Sequence, residues 1–187
     1  MPSSIDSQVP VAALVYRDAS RDADALLAAF AADMLARGHR LHGLLQQAAP
    51  APGGGAPRRR LVDLRSGRAY RVSQDLGPGS RACSVDPGGL AVASQVLRAA
   101  LDARADLAIV NRYGELEAAG SGFAQEMLAL MSEGIPLLTV VAARFLPDWR
   151  RFTGQAGVEL PLERPALQAW FDIVAGPGAA AGAGAAS

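Results

Sequence analysis

The chain has 187 residues and no lysine: all 18 of its basic residues are arginine. That absence excludes a lysine Schiff base and the phosphate-binding lysine of a G-x-x-x-x-G-K-S/T loop, whatever the fold. A single cysteine, Cys83, rules out an intramolecular disulfide and a multi-thiolate zinc site within one chain. Formal net charge is zero, so no global field draws the protein to nucleic acid or to an anionic membrane. No apolar run reaches the roughly 18 to 20 residues that span a bilayer. The first seven residues, Met-Pro-Ser-Ser-Ile-Asp-Ser, carry neither the basic region nor the apolar core of a secretion signal. The expectation is a cytoplasmic protein with no nucleic-acid or membrane partner.

Half of the residues are hydrophobic, enough to bury one substantial core. We expect one α/β domain over 9–174, between a disordered lead (1–8) and a disordered Ala/Gly tail (175–187) too poor in large apolar residues to order itself. Residues 9–16, 107–110 and 136–141 are nearly continuous apolar runs of strand length, the mark of strands covered on both faces. Residues 21–37, 87–104, 123–132 and 166–174 place apolar side chains at helical spacing, and 147–152 is a shorter amphipathic stretch. Ser20 and Asp86 read as N-caps, Pro87 as a first helical residue, and Gly38 and Gly134 as helix stops. Residues 40–47 predict another strand. Residues 60–65 and 68–73 alternate polar with apolar around Ser66-Gly67, as a hairpin with one wet face does. Helices alternating with buried strands predict a mostly parallel sheet with helices on both faces, the hairpin being an insertion or an antiparallel edge.

In such a sheet, ligands bind where the carboxyl ends of central strands meet helix amino ends. The loops after Tyr16, Val110 and Val141 should open on one edge. That brings Arg17, Asp18 and Ser20 near Asn111, Arg112, Tyr113 and Gly114, and both near Arg144. Guanidinium forks and free backbone N–H groups complement tetrahedral oxyanions such as phosphate, sulfate or molybdate. Arg81, in a Gly-Pro-Gly loop, is placed to close over such an anion; each arginine could equally pair with a carboxylate such as Asp18, Asp75 or Glu115. Asp75, Asp86, Glu115 and Glu117 are the acids best placed to hold a cation or activate water, with separations the sequence does not give. His39 and His42 are too few ligands to define a metal site and point to opposite faces if their segment is a strand. Both read as structural, and Cys83 reads as a small buried side chain.

The segments 11–35 and 106–123 together resemble a small P-loop nucleoside triphosphatase of the thermophile type. In that family a strand ending in Asp-Glu, then a glycine and an acid, carries the Walker B function; the matching positions here are Asn111, Arg112, Gly114 and Glu117. Residues 16–24, Tyr-Arg-Asp-Ala-Ser-Arg-Asp-Ala-Asp, stand where the family has its Gly- and Lys-containing loop. The resemblance implies the family's fold without its usual magnesium-dependent hydrolysis. The chain is closer still to an uncharacterised bacterial family that looks like this degenerate relative and is often labelled molybdenum transport-associated. The residues carrying that likeness include Val15-Tyr16, Asp22-Ala23-Asp24, Ser73-Gln74-Asp75-Leu76-Gly77, Cys83, Asp86-Pro87 and Asn111-Arg112-Tyr113-Gly114 with Glu117 and Gly120. Three functions stay open: a binding domain for an oxyanion or nucleotide phosphate, a divergent hydrolase or phosphotransfer enzyme using Asp75 or Glu117 with a metal, and an interaction module whose hairpin adds to a partner sheet. A protein partner or a homo-oligomer is compatible with each.

Overall fold

A computed structural model describes residues 10–17, 20–49, 58–71, 73–74, 84–85 and 87–176. The expected lead, most of the tail, Asp18, Asp75, Arg81, Cys83 and Asp86 lie outside them.

The elements run in the order β1 (Val11–Tyr16), α1 (Ser20–Ala36), β2 (Leu41–Ala49), β3 (Arg58–Asp63), β4 (Ala69–Arg71), β5 (Ser73–Gln74), β6 (Ser84–Val85), α2 (Pro87–Asp102), β7 (Leu107–Tyr113), α3 (Glu115–Ala118), α4 (Ala124–Ser132), β8 (Leu137–Ala142), α5 (Leu146–Phe152), β9 (Val158–Leu160) and α6 (Arg164–Ala175). A seven-stranded sheet has the order β4-β3-β2-β7-β8-β1-β9. Pairing is parallel from β2 through β9 and antiparallel from β2 to β3 and β4, so the predicted hairpin is the antiparallel edge of a mostly parallel sheet.

The apolar runs in β1, β7 and β8 are continuous because both faces are covered. Ala12, Leu14, Ile109 and Val140 pack under Leu27, Phe30 and Met34 of α1 and Trp170 and Phe171 of α6. Val11, Ala13, Val110 and Val141 pack under Leu97 of α2, Met127 and Leu130 of α4 and Trp149 of α5. Full burial of each large apolar side chain stabilises the fold by about 1.5–3 kcal/mol. The expected helices stand, with Gly38 (φ 88°) and Gly134 (φ 68°) in the left-handed conformation that ends α1 and α4. Two features differ from expectation. Asn111, Arg112 and Tyr113 belong to β7 instead of the loop after it, and the supposed loop beyond them contains α3. The short strand β9, with only Leu160 buried, has no apolar run to announce it.

Gly43 marks where β2 leaves β7 for β3: it has φ 137°, and a Cβ there would sit 2.0 Å from the carbonyl oxygen of Ile109. The clashing atoms are all backbone atoms of Ile109, so Gly43→Ala should cost about 3 kcal/mol or more. The corresponding fall in melting temperature for a domain of this size is roughly 10 °C; an unchanged melting curve would refute the close approach. His42, one residue earlier, is buried, and its Nε2 lies 2.9 Å from an Arg65 Nη1. Burial and the cationic Arg65 and Arg40 hold its imidazole below the ordinary value of 6.5, against an opposing pull from Asp63. A depressed folded pKa favours neutral imidazole, so this contribution is complete above pH 6.5 and is lost as pH falls through the folded value. His42→Gln, which keeps an acceptor for Arg65, should flatten the decline in stability below pH 6.5 in denaturation series run against wild type.

Candidate functional site

The chain leaves β1 through α1 toward β2 on one side of the sheet and leaves β8 through α5 toward β9 on the other. Neighbouring parallel strands whose connections diverge open a crevice at their carboxyl ends. Tyr16 pairs with Ala142, so Arg17 and Arg144 emerge side by side at that crevice, and α1 points its amino end there from Ser20. Arg144 lies over the Phe145 ring at 4.9 Å. Among the described residues neither Arg17 nor Arg144 is ion-paired with a carboxylate.

Arg112 differs from them because of a bulge. Val110 pairs with Thr139 and Tyr113 with Val141, so β7 holds one residue more than β8 across this interval. A bulge interrupts the alternation of side chains, and here Asn111 and Arg112 both find partners on the α1 side. Arg112 Nη2 donates to Asp24 Oδ1 at 2.7 Å, Nη1 donates to the Tyr16 hydroxyl at 2.8 Å, and the guanidinium lies 5.1 Å from the Tyr16 ring centroid. The other Asp24 oxygen accepts from Gln46 Nε2 at 3.2 Å, and Gln46 Oε1 accepts from Asn111 Nδ2 at 3.2 Å. Asp24 as a carboxylate only accepts, which fixes the direction of both amides in turn. The last acceptor in this relay, Asn111 Oδ1, is buried without a partner among the described residues. Tyr16, Asp24 and Gln46 were not singled out from the sequence as site residues. Their convergence depends on strand order, which a single sequence does not print.

Tyr113, Gly114 and Glu117 lie apart from that network. Tyr113 packs against Trp149 and Phe152 with ring centroids 5.3 and 5.1 Å away, and burial with the nearby Asp148 and Glu117 carboxylates pushes its phenol upward. Glu117 closes the turn around α3: its oxygens accept the Gly114 N–H at 3.0 Å and the Phe123 N–H at 3.1 Å. Burial raises its carboxyl above the ordinary range, and the two backbone donors oppose the rise. A Cβ on Gly122 would lie 2.2 Å from Glu117 Oε1, so glycine is required beside it. An open cleft of about 380 Å³ on this side is lined by Tyr113, Glu117, Gln125, Leu128, Asp148 and Phe152 among others. The candidate residues therefore separate. Arg17, the α1 amino end, Asn111, Arg112 and Arg144 gather at the carboxyl ends of β1, β7 and β8, while Tyr113 and Glu117 serve the α4–α5 side.

Asp24 and Arg112 are only 19% and 16% exposed, so removing one leaves a poorly solvated charge. Asp24→Ala should destabilise the fold by about 3 kcal/mol. Adding Arg112→Ala should recover part of that loss, which a double-mutant cycle by chemical denaturation measures directly; strict additivity would contradict the coupling.

The model of a family described as "Protein of unknown function (DUF2478)" matches residues 11–170. Over 161 residues, 86% of the chain, the sequence is 37% identical to the "Molybdenum import ATP-binding protein ModC 2" of Bradyrhizobium diazoefficiens. The chain spans 18% of the length of that relative. No solved structure matches. Since the family match runs through nearly the whole of the described sheet, the chain belongs to the DUF2478 family.

Proposed function

We propose that this chain binds a tetrahedral oxyanion, or the phosphate of a nucleotide, at the crevice between β1 and β8. Arg17, Arg144 and the amino end of α1 are the donors. The observation that carries this reading is the contrast among three arginines at one sheet edge: Asp24 neutralises Arg112, whereas Arg17 and Arg144 have no carboxylate partner among the described residues. Two guanidinium forks and a helix amino end are complementary to a dianion, and each charge-assisted hydrogen bond is worth about 1.5–3 kcal/mol. Arg112 acts from behind, holding Tyr16 at the end of β1 and the second turn of α1 in place.

The chemistry disfavours hydrolysis. No lysine is present to bridge phosphates, and both Glu117 oxygens are engaged by backbone N–H groups. The family resemblance to a P-loop scaffold fits a nucleotide phosphate, and the molybdenum import in the relative's name fits molybdate; both are anions of this class. Isothermal titration with molybdate, phosphate, ATP and GTP at constant ionic strength tests the proposal. We expect saturable heat from at least one of them, with affinity falling about tenfold or more in Arg17→Ala and again in Arg144→Ala. Silence from all four ligands, in both heat and thermal shift, would overturn it.

A further inference from the structure

The neutral chain hides an uneven distribution of charge. Residues 58–71 contain six of the 18 arginines and a single acid, Asp63. Elsewhere, seven arginines, among them Arg40, Arg98, Arg112 and Arg164, form ion pairs with carboxylates. In the hairpin, Arg59, Arg60, Arg65, Arg68 and Arg71 are all exposed, and none of them is ion-paired among the described residues. Their partners are neutral: Arg60 donates to Gln47 Oε1 at 3.3 Å, Arg65 meets the His42 imidazole, and Arg68 lies over the Tyr70 ring at 5.4 Å. Asp63 is itself taken up by the Ser66 hydroxyl and the Arg65 backbone N–H.

Register concentrates the effect. Arg60 stands directly opposite Arg71, and Gln47 continues the same row on β2. Like charges directly opposite across a pair of strands destabilise it. A charged edge can be a guard against aggregation, but one arginine on the outer strand would serve that purpose. A second on the inner strand adds repulsion without further shielding. β4 is the terminal strand of the sheet order, and among the described residues no strand pairs with its outer row of N–H and C=O groups. On the opposite face Leu61 and Tyr70, neighbours across β3 and β4, join the core beneath α2, which leaves the arginine row turned outward.

We propose that the β3–β4 hairpin docks an acidic, extended polypeptide segment, which adds alongside β4 and sets one carboxylate beside Arg71, with Arg60 one strand further in on the same face. Strand addition supplies main-chain hydrogen bonds, and the Arg71–Arg60 row, which runs across the strands, selects Glu or Asp at the position that faces it. The arginine face offers no aromatic platform for stacked bases, since Tyr70 packs toward the core on the other face. Among the described residues the exposed large apolar side chains, Val92, Leu116, Leu128, Val158 and Ile173, all lie outside the hairpin, so its described surface is polar.

The test uses the full chain and a fluorescent peptide alternating glutamate with threonine, read by anisotropy at low and high salt. The expected result is binding that weakens about fivefold or more with salt. It should fall about tenfold or more in the Arg60→Ala/Arg71→Ala variant, whose melting temperature stays level or rises because a like-charge pair is gone. Hydrogen exchange should show new protection of the Ala69–Arg71 amides in the complex. No binding of the peptide, equal binding of its glutamine counterpart, tighter binding of duplex DNA or of anionic vesicles, or binding without protection of β4 would each overturn the proposal.

Discussion

The contact between Asp24 and Arg112 joins parts of the chain 88 residues apart, tying the helix that follows the first strand to the end of a strand two places away in the sheet. Its geometry rests on one irregularity, the extra residue in β7 between Val110 and Tyr113. Strict alternation would send Asn111 and Arg112 to opposite faces. The bulge lets both reach the α1 side, where Asp24 neutralises one and, through Gln46, orients the other. The same irregularity leaves Tyr113 free to complete the aromatic cluster with Trp149 and Phe152 on the far face.

This arrangement changes the meaning of the likeness to a P-loop hydrolase. Such an enzyme carries its cation on the loop before the first helix and its acids at the end of the later strand. Here the acid is on the helix and the cation is at the strand end, the reverse of that arrangement. A guanidinium at that strand end cannot ligate magnesium, and it repels a cation placed there. The crevice presents a helix amino end and basic side chains at the carboxyl ends of β1 and β8.

The fold was largely legible because its signals are local and strong. Continuous apolar runs at 107–110 and 136–141 demand cover on both faces, and 21–37 has helical spacing between a capping serine and a stop glycine. The site was legible only as an address. That Arg17, Arg112 and Arg144 meet at one edge follows from alternating strands and helices, but which of them is already neutralised does not. Arg112 and Arg144 each follow a hydrophobic strand in the sequence. One is claimed by Asp24 through a bulge with no compositional signature, and the other lies over the ring of Phe145 with no carboxylate partner among the described residues. Glu117 is ambiguous for a related reason. Its spacing from Gly114 suits either a catalytic acid or an N-terminal cap, and in the structure its oxygens accept from the N–H groups of Gly114 and Phe123.

Zero net charge is then a poor guide to what the surface does. Coulomb interactions between exposed groups fade over about 8–10 Å at moderate salt, so a partner meets local charge and not the sum. Carboxylates are spent on arginines that hold elements together: Asp106 on Arg40 at the start of β2, Glu126 on Arg98 between α4 and α2, Asp33 on Arg164 between α1 and α6. Among the described residues, the arginines without such partners are Arg104 after α2, Arg17 and Arg144 at the crevice between β1 and β8, and those of the hairpin at the far edge of the sheet. The β8–β7–β2 order places three strands between crevice and hairpin, each rising from a different part of the chain, so these two basic regions are separate surfaces and not one continuous patch. Donors converge at the first, whereas at the second the Arg60 and Arg71 guanidinium groups stand side by side in a row that crosses the strands.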